Sequence, residues 1–316
     1  MKMVMFMSTI VEELRKAAVS RLFSINTIAG CFPTWRPEIN RLTPTKTSEQ
    51  ILSLGDHLSD IFHLSTAARD QGGVSKSGTA WESLVCWYLN LCSIGRRTVI
   101  IKYARDLIPE VVKDAIVVNY HNFSSDSETD LIAITFPDKE EYCCNKDDIT
   151  LFEAADTPLP VRNEAGEYNL REIVDALCAR DFRELELHII QCKTNWKDNA
   201  QIPMLWDAIY AAKYFSNGIS VGRNNYSVSD VSRFTYSFVT VPTNTRDTFT
   251  PEKIPVKRVT NLSGGNYWGK PTVNDVASSV REMLNRNLRT GHTDGHRSTL
   301  DDELPNLGTT YSYFGL

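Results

Sequence analysis

The stretch Leu185-Glu-Leu-His-Ile-Ile-Gln-Cys-Lys193 reads as a buried strand that turns polar at its end. Side chains alternate faces along a strand, so Gln191 and Lys193 point one way and Cys192 points into the opposite layer. A second run, Asp130-Leu-Ile-Ala-Ile-Thr-Phe136, begins with an acid and continues as another buried strand. The apolar runs Thr98-Val-Ile-Ile and Ala115-Ile-Val-Val-Asn are also read as strands, as is the alternating Phe234-Thr-Tyr-Ser-Phe-Val-Thr-Val.

Helical patterns surround these strands. Residues 8–30 carry Ile10, Leu14, Ala17, Ala18 and Leu22 at helical spacing, and 48–69 form a second helical stretch. Between them, the proline-containing residues 31–37 read as a loop, and Gln71-Gly-Gly-Val-Ser-Lys-Ser-Gly78 reads as a breaker. Thr79 then opens a helix as its N-cap, with Glu82 three residues later completing a capping box. That helix is apolar nearly all round, which predicts burial. Residues 170–178, 200–217 and 272–289 are further helices, 138–157 a polar loop, and 290–316 an irregular tail.

The alternation of helices and strands predicts an α/β fold, a central mixed sheet flanked by helices. The expected organisation is an N-terminal helical region over 1–75 and a main domain over 76–290. A segment at about 138–180 is inserted in the main domain, and a tail over 291–316 follows it.

Composition bounds the function. The net charge of −5 excludes a uniformly basic nucleic-acid coat but not a local binding cleft. Residues 124–157 hold ten Asp/Glu against two Lys, whereas residues 252–297 hold eight Lys/Arg against four Asp/Glu. An acidic middle and a basic late segment suit a metal-binding centre with phosphate contacts nearby. The seven cysteines are irregularly spaced with no CxxC pair, which reads as reduced core residues of a cytoplasmic protein and not as a zinc site. The apolar start, Met1 to Val11, runs straight into charged residues and reads as part of an amphipathic helix. No apolar run reaches the roughly 20 residues that span a bilayer, so no membrane association is expected.

Hydrolysis of a phosphodiester by a metal nuclease needs divalent ions held by carboxylates and carbonyl oxygens. It also needs an activated water and balanced charge on the phosphate. An Asp at one strand's start and a pair at i and i+2 on its neighbour supply these. Asp130, Gln191 and the backbone carbonyl of Cys192 would face the metal, and Lys193 would orient the water and offset phosphate charge.

Ser127-Glu-Thr-Asp130-Leu-Ile-Ala-Ile and His188-Ile-Ile-Gln191-Cys-Lys193 resemble the two catalytic strands of the PD-(D/E)xK nuclease superfamily, which includes many type II restriction enzymes. Gly78-Thr-Ala-Trp-Glu82-Ser-Leu-Val resembles the helix that carries the accessory acid of many members. The resemblance covers Glu82 to about Gln201 and implies a restriction-endonuclease-like fold. It also implies Mg²⁺, double-stranded DNA as substrate, a homodimer, and Asp130, Gln191, Lys193 and Glu82 as catalytic residues. Thr129 stands in place of the name-giving proline, and Gln191 in place of an acid, so more of the metal's charge falls to Asp130 and Glu82. The 61-residue gap between Asp130 and Gln191 requires an inserted segment.

Two surfaces are candidates for DNA contact. Beyond Lys193, the residues Asn195, Lys197, Asn199 and Gln201 combine amides that can read base edges with a phosphate-binding lysine. Further on, Lys257, Arg258, Tyr267, Trp268 and Lys270 surround a glycine-rich turn in which the aromatics could stack or wedge. A capped surface loop and a core-packed turn are the structural alternatives for the two segments. The functional alternatives are a less specific defence or repair nuclease, and a non-catalytic nucleic-acid-binding module on a nuclease fold.

Overall fold

Among the described residues of the computed structural model there are nine α-helices and eight strands. The structure describes residues 8–66, 74–102, 106–125, 129–152, 158–194, 209–210, 218–241, 252, 267–268, 280–288, 291 and 295–316. In chain order, the helices α1 (Ile10–Ser24), α2 (Asn26–Leu42), α3 (Ser48–Thr66) and α4 (Val74–Leu91) lead into strand β1 (Thr98–Lys102). Then follow α5 (Glu110–Ala115), β2 (Val118–Tyr120), β3 (Phe123–Ser125), β4 (Leu131–Thr135), α6 (Glu140–Cys143) and α7 (Leu170–Arg180). The remaining elements are β5 (Glu186–Lys193), β6 (Ile219–Val221), β7 (Arg233–Thr240), β8 (Tyr267–Trp268), α8 (Val280–Asn287) and α9 (Gly295–Glu303).

The fold is α/β. Its mixed sheet has the order β1-β4-β5-β7-β8, in which the β1–β4 and β4–β5 pairs are antiparallel and the β5–β7 and β7–β8 pairs are parallel. A second, antiparallel sheet has the order β3-β2-β6. Strand alternation divides the core of the larger sheet into two layers. Ile100, Leu131, Ala133, Ile190 and Cys192 pack in one layer with α4. Val99, Ile101, Ile132, Ile134, Leu187 and Ile189 pack in the other with α5 and α7.

Helix α4 is fixed to β1 by a side chain that imitates a strand. The amide of Asn90 donates to the Ile100 carbonyl at 2.6 Å and accepts from the Ile100 N–H at 3.1 Å. β1 is the sheet's edge, and Asn90 satisfies backbone groups that the edge would otherwise leave bare. Arg15, fully buried, donates to the carbonyls of Arg96 and Thr98, both at 2.7 Å, and so ties α1 to the start of the same strand.

Four expectations from the sequence are corrected. Residues 31–37 are not a loop, since α2 runs through Pro33 and Pro37. Both prolines lie on the exposed face, where water solvates the carbonyls they leave unpaired, while Ile28, Cys31, Phe32, Trp35 and Ile39 bury the opposite stripe. The breaker at 71–78 does not delay the next helix to Thr79, because α4 already begins at Val74. The penalty of about 1 kcal/mol for Gly78 is small against the burial of the apolar run that follows. The strand read at 115–119 is displaced, with α5 ending at Ala115 and β2 starting at Val118 in the smaller sheet. The C-terminal residues are not irregular. They form α9 and further turns, and Leu300, Leu307, Tyr311 and Phe314 join the layer of α4.

All seven cysteines are free thiols and five of them are buried. Among the described residues no helix is long and apolar enough to cross a membrane. Phe314 measures what the C-terminal segment contributes. It is fully buried against Trp87, whose indole N–H donates to the Phe314 carbonyl at 3.1 Å. Phe314→Ala is expected to cost about 3–5 kcal/mol in urea unfolding. A loss below about 1 kcal/mol would show that this segment is dispensable.

Candidate active site

Asp130 immediately precedes β4, and the β4–β5 register pairs Leu131 with Ile190. One step further along the ladder, Asp130 lies level with Gln191. The Cys192 N–H donates to Asp130 Oδ2 at 2.7 Å, and Lys193 Nζ lies 3.7 Å from the same oxygen. Residues 62 and 63 positions apart in sequence are thus joined by one carboxylate. Their order is the one the sequence predicts, an acid on one strand and Gln-Cys-Lys on its antiparallel neighbour.

Glu82 approaches from α4, and its position settles one of the sequence alternatives. Thr79 lies inside the helix, so no capping box exists there. The Glu82 carboxylate instead receives Lys102 Nζ at 2.6 Å. Lys102 ends β1 in register with Leu131, beside Asp130. The same ammonium donates to the Thr79 carbonyl at 3.2 Å and to Ser83 Oγ at 3.3 Å. Neighbouring Trp81 donates its indole N–H to the Val239 carbonyl at 3.4 Å, which holds this part of α4 over β7.

Two acids, Asp130 and Glu82, and two lysines, Lys102 and Lys193, therefore converge at the end of the sheet. Their side chains retain between 16% and 23% exposure, so they are recessed yet reachable from solvent. Burial pushes the Asp130 carboxyl up to about 6, and the charge of Glu82 adds to that rise. Lys193, the Cys192 N–H and Lys102 oppose it.

Gln191 is brought to the same place but is otherwise engaged. It is fully buried, and its amide oxygen accepts a hydrogen bond from the Tyr236 hydroxyl of β7. A carboxylate there would be an additional buried charge beside Asp130, whereas a neutral amide meets the tyrosine without that cost. Cys192 points into the opposite layer as alternation requires, and its thiol, buried beside the two acids, is pushed far up.

The proposed DNA-contacting residues Asn195, Lys197, Asn199, Gln201, Lys257, Arg258 and Lys270 lie outside the described residues. Tyr267 and Trp268 form β8, parallel to β7. Lys102 and Tyr236 escaped the sequence reading, although Lys102 carried a usable signal. Like Lys193, it is a lysine that ends an apolar strand.

Among the described residues no group of three or more His, Cys, Asp and Glu could hold a metal. The donor set still fits Mg²⁺, an ion that keeps several waters and takes one or two carboxylates. A cation held by Asp130 and Glu82 would offset the repulsion that adds to the burial-driven rise of the Asp130 carboxyl. No protein-family model matches the chain, and no curated protein matches it.

The raised Asp130 carboxyl gives a pH signature in metal-free protein. Its folded form holds the proton up to about 6, above the ordinary value of 3.8. The stability this contributes is complete below about pH 4 and is lost as pH rises through about 6. Asp130→Asn removes that loss. In EDTA it is expected to match the wild type near pH 4 and to exceed it at pH 7.5 by up to about 3 kcal/mol. An unchanged difference across that range in urea unfolding would contradict the assignment.

Proposed function

We propose that the chain is a Mg²⁺-dependent endonuclease of the PD-(D/E)xK kind that hydrolyses phosphodiester bonds in double-stranded DNA. The observation that carries this reading is the Asp130 carboxylate bound to the Cys192 N–H and lying 3.7 Å from Lys193. It is supported by the approach of Glu82 from α4. The mixed sheet, with the acid and the Gln-x-Lys on adjacent antiparallel strands, is consistent with a restriction-endonuclease-like fold.

In this reading Asp130, Glu82 and the Cys192 carbonyl would hold the ion. Bound there, it would supply Lewis-acid polarisation of a phosphate oxygen and a water of lowered pKa. Lys193 orients the attacking water and offsets the charge developing on the phosphate. Gln191, through Tyr236, fixes the end of β5 so that the Cys192 N–H and Lys193 stay on Asp130. The site is built from the ends of strands, and rigid elements of that kind hold reacting groups in register. The biological role proposed is a sequence-specific type II restriction endonuclease acting as a homodimer, one site per strand. Discrete plasmid fragments support that role, and a smear supports a less specific defence or repair nuclease.

One observation favours a second class of function. Lys102 already neutralises Glu82, and Tyr236 already holds the Gln191 oxygen, so the site is charge-balanced without a metal. A non-catalytic nucleic-acid-binding module would have this arrangement. Mg²⁺-dependent nicking that disappears in Lys193→Ala removes that alternative.

Purified protein is expected to cleave phage or plasmid DNA with Mg²⁺ and not with EDTA. Asp130→Ala and Lys193→Ala are expected to lower the rate by at least about 10²–10⁴-fold with the fold retained. Glu82→Gln is expected to lose activity to a similar degree at near-normal melting temperature. Full activity in Asp130→Ala or Lys193→Ala would defeat the assignment.

Gln191→Ala and Tyr236→Phe test the positioning role together. If Gln191 acts through the tyrosine, each lowers the rate and the double variant is no worse than the Gln191 variant alone. Gln191→Ala equal to wild type would remove Gln191 from the site.

A further inference from the structure

Lys102 has no place in the motif that led to the site, yet it is the most tightly bound charge in it. Its three ammonium hydrogens have three acceptors, all on α4: Glu82 Oε2 at 2.6 Å, the Thr79 carbonyl at 3.2 Å and Ser83 Oγ at 3.3 Å. Lys193, by contrast, lies at 3.7 Å from an Asp130 oxygen that already accepts the Cys192 N–H. With 16% and 20% of their side chains exposed, Lys102 and Glu82 are screened less than a surface pair.

An ammonium and a divalent cation on one carboxylate repel each other and compete for the same negative charge. We propose that Lys102 gates metal entry: its ammonium holds the Glu82 carboxylate at Oε2 and competes with a divalent cation for it, so that tight metal binding goes with its release. The inference rests on the nuclease reading and adds a regulatory element to it.

The charges make the exchange productive. Two carboxylates and two ammonium groups sum to zero, so a divalent cation leaves the site with an excess of +2 for an incoming phosphodiester. The released lysine has a flexible four-carbon stem and starts beside Asp130 at the end of an edge strand. It is free to turn its charge to the phosphate. Metal loading and the supply of a second cationic side chain are then one event. Lys102 is a positioning residue in the metal-free protein, acting through Glu82.

Calorimetric titration of the purified chain with Mn²⁺ alone, without DNA, tests the gate. Wild type, Lys102→Met, Glu82→Gln and the double variant are compared, each checked for folding by thermal melting in EDTA. Loss of the competing pair is expected to tighten Mn²⁺ binding by about five- to tenfold in Lys102→Met. In the Glu82→Gln background, Lys102→Met is expected to change affinity by less than about twofold, because the contested carboxylate is gone. Lys102→Arg keeps the pair and provides the check if the methionine variant does not fold. It is expected to bind Mn²⁺ no tighter than wild type.

Equal tightening in both backgrounds would reduce Lys102 to a general charge effect and overturn the gate. Unchanged affinity in Lys102→Met, or tighter binding in Lys102→Arg, would overturn it too. These outcomes leave the nuclease reading standing if wild type binds Mn²⁺ and cleaves DNA. Wild type that neither binds Mn²⁺ nor cleaves DNA would defeat both.

Discussion

The antiparallel register of β4 against β5 brings Asp130 level with Gln191 and within reach of the Cys192 N–H. The site depends on this register more than on any side chain in it. A shift of one residue would turn Lys193 and Gln191 to the other face and expel Ile189 and Leu187 from their layer. Both faces of the sheet are buried, so such a slip would exchange two apolar sets at once. The hydrophobic alternation that builds the core thus also fixes the chemistry. The Asp130–Cys192 bond extends the ladder by one rung at the point where the strands end.

Helix α4 supplies the other half of the arrangement. Asn90 pairs it with β1 and Trp81 anchors it on β7, which leaves Glu82 above the end of the sheet. Every buried charge there has a counter-charge, as burial demands. The cost of burying the Asp130 carboxyl, with the charge of Glu82 added to it, appears in its raised titration. A group of this kind, perturbed by burial and by a named like charge in a recess, is a general mark of functional sites.

The strands that carry the site were legible because their apolar runs are bounded by polar residues, as in Asp130–Phe136 and Leu185–Lys193. Helix α7 was legible for similar reasons of period. What the sequence obscured was decided by tertiary packing. Pro33 and Pro37 look like breakers, but the buried stripe from Ile28 to Ile39 carries α2 through them. Gly78 and Thr79 look like a helix start, but α4 begins a turn earlier. The C-terminal residues are rich in Gly, Thr and Asp and so read as an irregular tail, although Leu300, Leu304, Leu307, Tyr311 and Phe314 recur at spacings of four and three. The partners of Glu82 and Gln191, Lys102 and Tyr236, come from strands far away in sequence. No spacing rule within one strand reveals them.

The central claim is that Asp130 and Glu82 are two ligands of one divalent cation beside Lys193. Its most direct measurement is a crystal structure of the chain grown with Mn²⁺, with the ion located by its anomalous scattering. The account predicts a peak in coordination contact with both carboxylates and Lys102 turned away from Glu82. No peak at these carboxylates at millimolar Mn²⁺, with the Lys102–Glu82 pair intact, would contradict it.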